Sequence, residues 1–98
     1  MLSVHSQMEL EFNILSTTNK GVWVNINLEA DAYIKQYPGI GRQDVIGGID
    51  FLANRDCIDM RKPSPDGESV YIKLSDNVPD GIFELASLVN DLHDPSKS

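Results

Sequence analysis

The sequence predicts an α+β fold, mainly helical, in which a three-helix core carries a two-stranded hairpin and a last helix closes the chain. Three observations predict it. Within residues 27–54, apolar residues recur at helical spacing in two short segments separated by Pro38-Gly39-Ile40-Gly41. Within residues 57–74 the period changes to two, in segments separated by Pro63-Ser64-Pro65-Asp66-Gly67. After Val78-Pro79 the helical period returns. A change of period marks a change of element, because only one spacing keeps the apolar side chains on one face of a helix or of a strand.

Taken in order, residues 1–7 have no clear period and read as a loose start. Residues 8–15 fit both periods: Met8, Leu10, Phe12 and Ile14 alternate, while Met8, Phe12 and Leu15 share a helical face. The helix is preferred, because two short helices need a third beneath them to complete a core. A β-hairpin with residues 22–26 is the alternative, and with the helix chosen, 22–26 is the short strand that pairs with the hairpin. Asn27 is expected to cap a helix over 27–36, with Glu29 and Asp31 near its positive end. Ala30, Tyr33, Ile34 and Tyr37 form its stripe. Pro38 ends that helix by pushing the residue before it away from helical geometry. The next helix spans 42–54, with Asp44 in its first turn, Val45, Ile49 and Leu52 as the buried line, and Ile46 and Ala53 at its edge.

Residues 57–62 and 69–74 are expected as half-buried strands, with Asp66-Gly67 at the tip of the hairpin. Asp80 is expected to cap the last helix, which reaches about His93. On it Ile82, Leu85, Ala86, Val89 and Leu92 make one face, widened by Phe83 and Leu88. The chain therefore divides into a flexible start at 1–7, a domain at 8–75, the C-terminal helix at 76–94 and a disordered tail at 95–98.

Composition narrows the function. Ninety-eight residues make one domain, and no apolar run approaches the length that spans a bilayer. Cys57 is alone, no Asn-x-Ser/Thr acceptor occurs, and no charged-then-apolar signal segment opens the chain. A reducing, cytoplasmic setting is expected, with no membrane partner. The net charge is −7, which argues against non-specific affinity for nucleic acid. Yet Lys35, Arg42, Arg55, Arg61, Lys62 and Lys73 balance Asp44, Asp50, Asp56, Asp59, Asp66 and Glu68, so the excess acid lies outside residues 35–73. Catalysis has little support. His5 and His93 lie near opposite ends, no Cys or His cluster has ligand spacing for a metal, and no phosphate loop is present. The expectation is no enzyme and no cofactor, with Cys57 a small apolar residue rather than a redox sensor.

From Phe12 to Leu74 the chain resembles the winged helix-turn-helix superfamily, especially small bacterial, archaeal and phage regulators of the MarR and ArsR kind. The resemblance rests on Ile14-Leu15, Leu28-Glu29-Ala30, Gly39-Ile40-Gly41-Arg42-Gln43-Asp44-Val45, Ile49-Asp50-Phe51-Leu52-Ala53-Asn54 and Cys57-Ile58-Asp59-Met60-Arg61. It implies a three-helix core, a two-stranded wing and a C-terminal helix, with the third helix in the major groove of double-stranded DNA. There Gln43 and Asn54 would read adenine edges and Arg42 a phosphate or guanine. Arg61 and Lys62 on the wing would grip the backbone or minor groove.

The third helix departs from the family pattern in having Gly47-Gly48 where Arg, Lys, Ser or Thr is common. Each glycine costs about 1 kcal/mol relative to alanine in an exposed helix interior. Gly48, beside Val45 and Leu52, reads as room for a neighbouring helix. Gly47, outward with Gln43 and Phe51, reads as a bare patch for close approach to a groove or partner. The surplus apolar face of the last helix (Ile82, Leu85, Leu88, Val89, Leu92) predicts a homodimer interface; the competing account has Met8, Phe12 and Trp23 absorb it. The expected function is a sequence-specific DNA-binding transcriptional regulator, a homodimeric repressor. The other reading is a winged-helix adaptor whose partner is a protein, favoured by the −7 charge and the Gly47–Phe51 patch.

Overall fold

A computed structural model of the protein describes residues 2–62, 70–94 and 96. Its elements run α1 (Val4–Thr17), β1 (Val24–Asn25), α2 (Ile26–Gln36), α3 (Arg42–Ala53), β2 (Ile58–Arg61), β3 (Tyr71–Leu74) and α4 (Ile82–Leu92). The strands form an antiparallel sheet in the order β1-β3-β2. The fold is α+β and mainly helical, as the two periods predict, and its element order is compatible with a winged helix. The expected tip at Asp66-Gly67 lies outside the described residues.

The first helix is longer than its apolar pattern. Ser3 caps it, its Oγ accepting the Ser6 N–H at 3.2 Å, so residues 4–7 are helical rather than a loose start. Residues 8–15 are helical throughout, which overturns the strand alternative. Leu10, Ile14 and Leu15 face the core. The helix ends where Thr17 and Thr18 turn their hydroxyls back onto the carbonyls of Asn13 and Ile14; such bonds compete with the helical ladder. Thr17 also bonds the Tyr33 hydroxyl at 2.6 Å, tying α1 to α2. Burial pushes the Tyr33 phenol up to about 12, against the lowering effect of that bond.

The cap of α2 is Asn25, two residues earlier than expected, its Oδ1 accepting the Asn27 N–H at 2.8 Å. Both asparagines suit the role; the chain uses the one that leaves Ile26 buried. The expected strand at 22–26 contracts accordingly to Val24–Asn25. Val45, Ile49 and Leu52 of α3 are fully buried. At Gly48 an added Cβ would stand 3.4 Å from Ile14 Cδ1 and 3.6 Å from Leu10 Cδ2, ordinary contact distances, so this glycine faces α1 as expected but the packing does not require the lack of a side chain.

The turn from α3 into β2 uses an acid where glycine is the usual choice. Asp56 has φ 61°, the Cys57 N–H reaches the Leu52 carbonyl at 2.9 Å, and the Asp56 N–H reaches that of Ala53 at 3.2 Å. This is the paired-bond helix end that a left-handed residue allows. We expect Asp56→Gly to raise stability by about 0.5–1 kcal/mol, and Asp56→Val to lower it by at least as much, in urea unfolding.

Along the sheet the alternation holds. Ile58, Ile72 and Leu74 are buried, while Asp59 and Arg61 are exposed. Helix α4 is not capped by Asp80: Gly81 is its cap residue, and Asp80 instead pairs with Lys20 at 3.0 Å.

Candidate nucleic-acid interface

Buried and exposed faces of α3 separate cleanly. Opposite its core line, Gln43, Gly47, Asp50 and Asn54 follow one another at helical spacing, and all four are exposed. From Gln43 to Asn54 the stripe runs about 16 Å along the axis. A straight helix comes nearest a curved groove midway, and Gly47 stands there; a Cβ added to it would meet no atom within 4 Å. The helix start is fixed by Asp44, whose Oδ2 accepts the Gly41 N–H at 3.0 Å, so Asp44 stabilises the helix rather than facing a base.

The cations are placed less simply. Arg42 is held by Asp31 of α2 at 3.0 Å, both side chains well exposed, so it is not free for a phosphate without leaving that partner. Such an exposed pair contributes only about 0–1 kcal/mol, and leaving it is cheap. Arg55 lies over the Phe51 ring, 3.6 Å from its centroid, and donates to the Phe51 carbonyl at 3.2 Å. The stripe itself thus has no cation and one acid, Asp50. Arg61 and Lys62 are exposed at the end of β2, where Arg61 lies 5.8 Å from the Trp23 ring centroid.

Phe51 is not an open apolar patch. His93, just past α4, stacks on its ring with centroids 4.8 Å apart and planes 14° apart. His93 Nε2 lies 2.7 Å from Glu11 Oε1, and Gln7 Nε2 donates to the other carboxylate oxygen at 2.9 Å. Glu11 is fully buried. This carboxylate, on α1, thus joins the end of α4 to the edge of α3. Sequence reading missed it, since partners 82 positions apart leave no local pattern.

The residues expected at a dimer interface divide. Leu85 and Val89 are buried in the protein's own core, and Leu88 and Leu92 pack partly against it. Only Ile82 is open, at 67% exposed, joined by Phe83 at 86%. The packing of α4 against α1 absorbs much of the apolar surplus, with Met8 and Phe12 partly buried against the core; Trp23 stands elsewhere, on the outer face of the sheet.

Cys57 is buried, its Sγ 3.6 Å from the Arg55 carbonyl, and burial pushes its thiol up. That environment suppresses the thiolate. Among the described residues no group of three or more His, Cys, Asp or Glu side chains is placed to hold a metal, and no helix is long and apolar enough to cross a membrane. No protein-family model matches the chain, and no curated protein or solved structure matches it.

Proposed function

We propose that the protein is a cytoplasmic winged helix-turn-helix regulator that reads double-stranded DNA with α3, grips the flanking backbone with Arg61 and Lys62, and represses by occupying its site. The observation that carries this reading is the stripe Gln43-Gly47-Asp50-Asn54, exposed along the whole of a helix whose opposite side is fully buried. The stripe offers two amides able to bond base edges, and a bare backbone where a groove wall would come closest. In this reading the excess negative charge suppresses non-specific binding and leaves discrimination to base contacts. A homodimer would form through Ile82 and Phe83 at the start of α4, with Leu88 and Leu92 at its margin. It would set two reading helices on half-sites about one turn of DNA apart.

Few cations are available, so binding should depend only shallowly on salt. Replacing Arg61 and Lys62 by alanine should weaken binding to all duplexes alike and flatten that slope further. Gly47→Ala gives a sharper test. It should stabilise α3 by about 1 kcal/mol, because nothing crowds the new methyl, and yet weaken duplex binding. A stabilised variant that binds as tightly as the parent would remove Gly47 from the interface.

The second reading is a winged-helix adaptor for a protein partner. The absence of a cation from the stripe, with Asp50 near its middle and Arg42 on Asp31, favours it. Duplex binding at low salt decides between them.

A further inference from the structure

Trp23, the chain's single tryptophan, has no part in the reading above. Strand register sets Asn25, Tyr71 and Arg61 in one row across the sheet. Two positions along each strand, Trp23, Lys73 and Asp59 fall on that same outer face. The Lys73 ammonium lies 5.0 Å and the Arg61 guanidinium 5.8 Å from the Trp23 ring centroid. Trp23, Asn25 and Tyr71 form one wall of an open groove of about 660 Å³, with Leu28, Glu29 and Ala32 of α2 opposite. Leu28 is 70% exposed although apolar.

We propose that this face binds single-stranded nucleic acid, with a base stacked on Trp23 or Tyr71 and backbone phosphates at Arg61 and Lys73. The chemistry is that of a stacking platform: aromatic faces accept any base, and interleaved cations track the backbone. The two cations are drawn to the indole by its negative face. Both lie over the ring, so a base that stacks on Trp23 displaces them from its face, and their long side chains then reach the phosphates on either side of that base. A duplex keeps its base faces inside the stack, so this surface selects unpaired strand. Glu29 is the acid among the groove-lining residues, and burial pushes its carboxyl up, so it yields its charge more readily than an open glutamate. Asp59, the other acid on this face, stands opposite Lys73 in register. None of the groove residues belongs to α3; Arg61 is shared with the duplex reading, so the test is carried by Trp23, Lys73 and Glu29 instead.

The tryptophan provides its own probe. Titrating the protein with a twelve-residue oligothymidylate at low salt should quench Trp23 fluorescence, and added salt should reverse the quenching. With fluorescein-labelled oligothymidylate followed by anisotropy, Trp23→Ala and Lys73→Ala should each bind about fivefold or more weakly, Trp23→Phe should retain most of the affinity, and Glu29→Gln should bind more tightly. Trp23→Phe guards against a fold defect in Trp23→Ala. If α3 reads duplex, these variants keep their duplex binding; if it does not, the oligothymidylate results stand unchanged. Absence of quenching, binding indifferent to Trp23→Ala, or quenching by a polyglutamate peptide in place of oligothymidylate would overturn the proposal, the last by making the face a protein-binding one.

Discussion

His93→Ala should destabilise the protein by about 3 kcal/mol, a large effect for a residue at the end of a surface helix. Glu11 has no exposure to water, so its carboxyl depends on the groups that touch it. One is the Gln7 amide at 2.9 Å; the other is the His93 ring, its Nε2 2.7 Å from Oε1. Removing the imidazole leaves a buried carboxylate with one neutral donor. It also removes the stack on Phe51, worth about 0.5–1.5 kcal/mol beyond its buried area. The cost is that of stranding a buried polar group rather than of losing an attraction. For that reason Glu11→Leu combined with His93→Ala should be more stable than His93→Ala alone. Urea unfolding of the two variants measures this. A loss below about 1 kcal/mol for His93→Ala, or a double variant less stable than the single, would show that the contact contributes little.

Leu85→Ala should cost about 2–5 kcal/mol, whereas Phe83→Ser, two residues earlier on the same helix, should leave the folded monomer nearly as stable as the parent. Leu85 is 4% exposed within the core and Phe83 is 86% exposed, so truncation opens a cavity at one position and only rewets a surface at the other. If Ile82 and Phe83 form the self-association face, Phe83→Ser should also shift the chain to monomer in sedimentation at micromolar concentration. A parent already monomeric there would end the dimer proposal without touching the fold. A Leu85→Ala loss no larger than that of Phe83→Ser would contradict the packing of α4 against α1.

Much of this was legible in the residues because it is periodic. The stripe of α2, the buried line of α3, the alternation of β2 and β3 and the placing of Gly48 against α1 all follow from spacing on a helix or strand. Capping was legible only in kind. Asn25 and Asn27 are equally good caps in isolation, and packing of Ile26 decides between them. Asp80 looked like a cap but stands one residue too early and pairs with Lys20. The change of period places the helix end near Asn54, but nothing in Arg55-Asp56-Cys57 says that Asp56 is the residue that turns left-handed. The candidate surface was legible on α3 and misleading elsewhere. Arg42 looks free until Asp31, eleven positions earlier, comes beside it. Trp23, a candidate to cover the last helix, stands on the outer face of the sheet because the strand phase set by Val24 and Ile72 leaves it no other. Contacts between distant positions, Glu11 with His93 above all, are set by tertiary packing and have no local signature.

In the proposed function the exposed stripe of α3 reads sequence in a duplex. Selection from a library of randomised duplexes at low salt, repeated for the parent, Gln43→Ala and Asn54→Ala, tests it most directly. An enriched half-site is expected, in which each substitution relaxes its own base-pair position by about 1–3 kcal/mol and leaves the others in place. No enrichment for the parent, or enrichment that both substitutions leave unchanged, would contradict it.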